Sequence, residues 1–199
     1  MKSGLLDHLA GGPDPQAVHE MGHLSAAALL DRVHHSTDPV IVRRVLTLVD
    51  TEGVDLIAQL WSDCESDSLP GILWRLYLLR SWMRRDGERI ASLWNAVEPR
   101  VTAASAIAGL DQAPSAADIA RTADSILSGA FTGDFAVALD RAAAFTQVIA
   151  AGLRREASLS RTGSDPDGKA RLLHAAGNLR STSSVFRHGA SLWRSRQLE

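Results

Sequence analysis

SAADIARTADSILSGAFTGDFAVALDRAAAFTQVIAAG, residues 115–152, decides the fold class of this chain. Ser115 followed three residues later by Asp118 has the pattern of a capping box, in which each side chain satisfies the other's free backbone N–H at a helix start. From there Ala116, Ile119, Ala123, Ile126 and Ala130 recur at steps of three and four, the period that places them on one helical face. Phe131-Thr132-Gly133 makes a turn, and Phe135, Ala138, Ala142, Phe145, Ile149 and Gly152 resume the same period. Two such seams joined by a short turn predict an antiparallel helical hairpin, and the alanines allow its helices to approach closely.

Helical punctuation continues outward in both directions. Thr37-Asp38-Pro39 opens a helix over VIVRRVLTLV that ends at Gly53, and a short one follows from about Val54 to Cys64. Ser68-Leu69-Pro70 starts GILWRLYLLRSWMRR, which stops near Asp86-Gly87, and ERIASLWNAV runs to Glu98-Pro99. VTAASAIAGL is a short helix ending at Gly109. Beyond a polar connector at 158–168, the last residues read as one or two basic helices interrupted near Gly177 and Gly189. No stretch has strand periodicity. The expectation is an all-α, multi-helix bundle of about eight or nine helices. LIAQLW at 56–61 and RIASLW at 89–94 are offset by 33 residues, the period range of helical solenoids, so the N-terminal hairpins are expected to have a HEAT- or TPR-like pattern. The composition shifts toward alanine after Glu98, which suggests regions 1–98 and 99–199, with one domain as the alternative.

A chain of 199 residues can bury roughly 70% of its unfolded surface and needs no staples. Cys64 is its one cysteine, which excludes an internal disulfide and fits a reducing, cytoplasmic setting. No run of ~18 uninterrupted apolar residues is present, so membrane insertion is not expected. The net charge is −2, but its distribution is uneven. Residues 1–140 carry 11 basic and 19 acidic groups, against 10 and 4 in residues 141–199. A basic last third suits an acidic protein face or nucleic acid, or draws the two halves together.

Residues 14–35, DPQAVHEMGHLSAAALLDRVHH, predict another helix. Within it HEMGH matches His-Glu-x-x-His, and the pentad resembles the motif helix of zinc metallopeptidases. One helical turn separates His19 from His23, about 40° around the axis, so both imidazoles can reach one ion. The resemblance implies a zinc cofactor, His19 and His23 as ligands, and Glu20 as the base that polarises the attacking water. Val18, Met21, Ala28, Leu29 and Val33 form the apolar stripe expected to pack, with the histidines flanking the polar face. Several features depart from that family. Ala26 and Leu29 stand where the metzincin extension has glycine and histidine. A third ligand is not singled out among Asp50, Glu52 and Glu65, and the residues before His19, with Gly11-Gly12-Pro13 and Pro15, make a poor substrate-holding strand. Cys64 lies among Asp63, Glu65 and Asp67, whose charges disfavour a thiolate, so it reads as a structural thiol.

Trp74, Arg75, Trp82, Arg84 and Arg85 share one predicted helix and offer the aromatic and guanidinium groups that anchor partner surfaces. The sequence therefore predicts a non-enzymatic, cytoplasmic helical protein that works by association with a protein partner or with itself, in the manner of an adaptor or regulator. Two alternatives accompany it: a zinc-dependent hydrolase using HEMGH, and a nucleic-acid-binding regulator using the basic C-terminal region.

Overall fold

The capping box at Ser115 forms as its sequence predicts. Asp118 N donates to Ser115 Oγ at 3.3 Å, and Ser115 N donates to Asp118 Oδ2 at 2.8 Å. In the computed structural model, residues 14–34, 40, 60–97, 103–110, 113–159 and 166–199 are described. Their helices are α1 (Pro15–His34), α2 (Leu69–Arg85), α3 (Gly87–Val97), α4 (Ala103–Ala108), α5 (Ala116–Thr132), α6 (Phe135–Leu159) and α7 (Pro166–Arg194). Among the described residues every regular element is helical, which establishes the all-α class.

These seven helices differ from the expected eight or nine for two reasons. Most of the helices placed at 39–53 and 54–64 falls outside the described residues; of those described in these spans, Val40, Leu60 and Trp61 are helical. The HEAT- or TPR-like expectation lies largely in that same region. Further on, α7 is a single helix and is not interrupted at Gly177 or Gly189. A glycine costs only ~1 kcal/mol in a helix, which the packing of α7 outweighs. Gly189 is there for contact: a Cβ at that position would strike the Ile72 side chain of α2 and lie 3.3 Å from Leu139 Cδ1 of α6.

The core is built around α6. Phe135, Ala138, Ala142, Phe145, Ile149 and Gly152 are all buried, as are Ile119, Ala123, Ile126 and Ala130 of α5, so the hairpin seam forms. The most extensive interface of α6 is nevertheless with α7. Small residues bring these two helices together, and Ser183 Oγ donates to Ala143 O at 2.8 Å inside the contact. Against the rest of α6 lie α3, α4 and α5. Trp94 of α3 is fully buried and stacks on Phe145 at 5.7 Å. Long and apolar enough to cross a membrane, α6 has 72% of its most apolar window buried among the other helices, the pattern of a core helix.

At the α2 N-terminus, Ser68 Oγ accepts from Gly71 N at 3.3 Å, and Pro70 occupies the first turn, where a missing N–H costs nothing. Gly109 ends α4 with φ +75°, a left-handed conformation that favours glycine. One contiguous hydrophobic cluster includes Trp61, Ile72 and Trp94 together with Phe131, Phe145 and Phe186. It draws on both sides of the composition shift near residue 98.

Candidate metal centre

Gly22 lets α1 come close to the chain before α2. A Cβ there would stand 2.7 Å from Leu60 O and 3.0 Å from Cys64 Sγ. Gly22, Ala26 and Leu30 consequently form the buried face of α1, and Trp61 Nε1 donates to Ser25 Oγ at 3.0 Å. The stripe expected to pack is displaced. Met21 is 55% exposed and Ala28 is exposed, while Val18 and Leu29 are only half-buried. Small residues won over large apolar ones because they permit near-backbone contact. This rotation turns His19 and His23 inward, toward residues 60–65.

The two imidazole rings lie 4.7 Å apart between centroids. Glu65 Oε2 is 3.5 Å from His19 Nε2 and 4.0 Å from His23 Nε2. Cys64 closes the group: one donor atom from each of His19, His23 and Cys64 lies within 4.8 Å of the others. Buried from solvent, His23 Nε2 has no hydrogen-bond partner. A desolvated ring nitrogen without a partner is costly, and an ion is one of the groups that satisfies it.

Local structure fixes the other two donors. Cys64 N donates to Trp61 O at 3.3 Å as the preceding helix ends, and Cys64 Sγ donates to Leu60 O at 3.4 Å. Glu65 O accepts from Ser68 N at 3.1 Å and from Ser68 Oγ at 2.8 Å, so the N-cap of α2 holds the turn that carries Glu65. Burial, then the charges of Glu65 and Asp63, push the Cys64 thiol above its ordinary pKa. The sequence indicates the same direction through its acidic neighbours, although burial is the larger cause.

Two imidazoles, a thiol and a carboxylate suit a zinc-class ion, with bonds near 2.0–2.3 Å and hence donor separations of about 3.3–3.8 Å. The donor atoms of His19, His23 and Cys64, within 4.8 Å of one another, need roughly 1 Å of side-chain closure to reach that separation. Glu65 is the carboxylate that the sequence leaves unselected, and Asp50 and Glu52 lie outside the described residues. Cys64 is the candidate donor that sequence reasoning misses. Its signal is adjacency to Glu65 at a helix end, and only folding brings that end to α1. Glu20 is exposed, with Gln16 Nε2 3.5 Å from its Oε1 on the same helix.

The five residues of the aromatic and basic face all lie on α2. Trp74 and Trp82 are half-buried against the core. Arg75 donates to Gly71 O at 2.9 Å, Arg84 to Asp124 Oδ2 at 2.7 Å, and Arg85 to Asp86 Oδ2 at 3.2 Å. Much of this guanidinium capacity is therefore used within the chain. Comparisons with protein-family models, with characterised proteins and with solved structures find no match to this chain.

Proposed function

We propose that this chain is a metal-binding helical protein in which a zinc-class divalent ion, held by His19, His23, Cys64 and Glu65, clips α1 to the turn before α2. The observation that carries this reading is the buried His23 Nε2, without a hydrogen-bond partner, among donor atoms of His19, His23 and Cys64 that lie within 4.8 Å of one another. Four protein donors complete a tetrahedral shell, the arrangement of structural zinc, whereas hydrolytic zinc keeps one position for water. Glu20, on the exposed face beside Gln16, does not belong to the donor group. The reading thus favours a structural ion over peptidase chemistry. It suits a reducing, cytoplasmic setting, in which Cys64 stays available as a ligand.

Cobalt substitution tests it. Co²⁺ in the full chain should give tetrahedral visible bands and a thiolate charge-transfer band, with the latter lost in Cys64→Ser and both weakened in His23→Ala. Protein that takes up no cobalt, or a charge-transfer band that persists in Cys64→Ser, contradicts it.

Association is the second reading, favoured by the outward face of α1, where Met21 is 55% and Leu24 72% exposed. Docked by the ion, this helix would present both side chains to a protein partner or to a second copy. Light scattering with and without zinc should then show mass or partner binding that depends on the ion.

A further inference from the structure

A groove follows one stripe of α6, away from the metal centre. Val137, Ala144, Gln147 and Arg154 succeed one another at steps of seven, three and seven, which keeps them on one helical face about 26 Å long. Toward α4, Ala104, Ile107, Val137 and Ala144 border a cavity of about 760 Å³ together with Asp140 and Arg141, and Ile107 and Val137 are half exposed. Toward the other end Arg154, Arg180, Arg187 and Ser184 border a second cavity of about 450 Å³. Gln147 and Arg187 line both, so the two cavities adjoin.

The charges in this groove are unequally committed. Arg141 donates to Ser125 Oγ at 3.0 Å and to Ala108 O at 3.5 Å, and Arg194 pairs with Asp140 at 2.5 Å. Among the described residues Arg154, Arg180 and Arg187 have no carboxylate partner. Three arginines of the basic last third thus stand unneutralised at one end of a hollow whose other end is mostly apolar, its Asp140 and Arg141 being engaged with Arg194, Ser125 and Ala108. Guanidinium forks match the geometry of phosphate oxygens, and Ser184 adds a hydroxyl donor.

We propose that this groove binds a free, single-chain anionic amphiphile, its alkyl chain along Ile107, Val137 and Ala144 and its phosphate head among Arg154, Arg180 and Arg187. Apolar burial holds the chain, and the arginines select the sign of the head. The site shares no residue with the metal centre and stands whether or not that centre binds an ion.

Calorimetric titration of the full chain with dodecyl phosphate, kept below micelle formation, tests the proposal. Saturable binding is expected, with inorganic phosphate at least about tenfold weaker and dodecyltrimethylammonium not binding. The double variant Arg180→Gln/Arg187→Gln should lose tenfold or more, while Lys169→Gln, outside the groove, should match the native protein. Absence of binding, equal binding of the cationic amphiphile, equal binding of inorganic phosphate, or full affinity in the double variant would each overturn it. So would binding to vesicles of anionic lipid with none to the monomer.

Discussion

Arg80 of α2, 4% exposed, donates through Nε to Asp124 Oδ1 of α5 at 2.7 Å, and Arg84 takes the other oxygen at the same distance. Removing Asp124 takes a charged acceptor from a buried guanidinium, whereas removing Arg84 takes only an exposed partner. Asp124→Ala should therefore cost about 1–3 kcal/mol, reduced from the value for a fully buried pair because Asp124 is 42% exposed, and Arg84→Ala at most about 1 kcal/mol. Urea unfolding checks the ranking. Equal costs for the two variants would mean that burial of Arg80 does not govern this contact.

The Asp118 carboxyl is held below the usual carboxylate range, first by the Ser115 hydroxyl and then by the Ser115 N–H. A depressed folded value means that its stabilising effect is complete above the unfolded value near ~3.9 and is lost as pH falls through the folded one. Thermal melts should show Asp118→Asn less stable than the native chain at neutral pH, with the two curves converging as pH falls below the unfolded carboxylate value. Parallel curves across that range would argue against the capping carboxylate. Ser115→Ala, which removes the other half of the box, should cost about 1 kcal/mol.

Gly22 is where α1 comes closest to Leu60 and Cys64. Because backbone oxygen stands in the path of a new Cβ, Gly22→Ala should push α1 outward and weaken zinc binding about tenfold or more, while the α6–α7 core melts as before. Competition with a chromophoric chelator measures the affinity. Unchanged zinc affinity in Gly22→Ala would show that the approach of α1 does not set the site.

Gly152 of α6 has an equally strict environment, since a Cβ would lie 2.6 Å from Leu93 O of α3. Gly152→Ala should destabilise the core by about 1–3 kcal/mol despite the better helix propensity of alanine. A variant as stable as the native chain in chemical denaturation would contradict this packing.

The all-α class was legible because its signals are local: the Ser115–Asp118 box, Pro70 in the first turn of α2, Gly109 after α4, and the three-and-four seam of α5 and α6. The inward face of α1 was not. Hydrophobicity favoured Met21 and Ala28, but Gly22 and Ala26 pack, because closeness of approach depends on the partner surface and that surface lies more than thirty residues further along the chain. His19 and His23 were readable as a pair from helical spacing. Selecting Glu65, and adding Cys64, required the turn that the N-cap of α2 holds in place. Gly189 misled for a related reason. It reads as a helix break in isolation and serves as a contact surface once Ile72 is opposite it.

Zinc content after metal-replete expression and gel filtration tests the central claim most directly. The native chain should retain about one zinc per molecule, and His23→Ala, which removes a proposed ligand, should lose it, with affinity falling at least about a hundredfold. Glu20→Gln should keep the full complement. Native protein that emerges zinc-free, or His23→Ala and Cys64→Ser variants that retain stoichiometric zinc, would contradict the account.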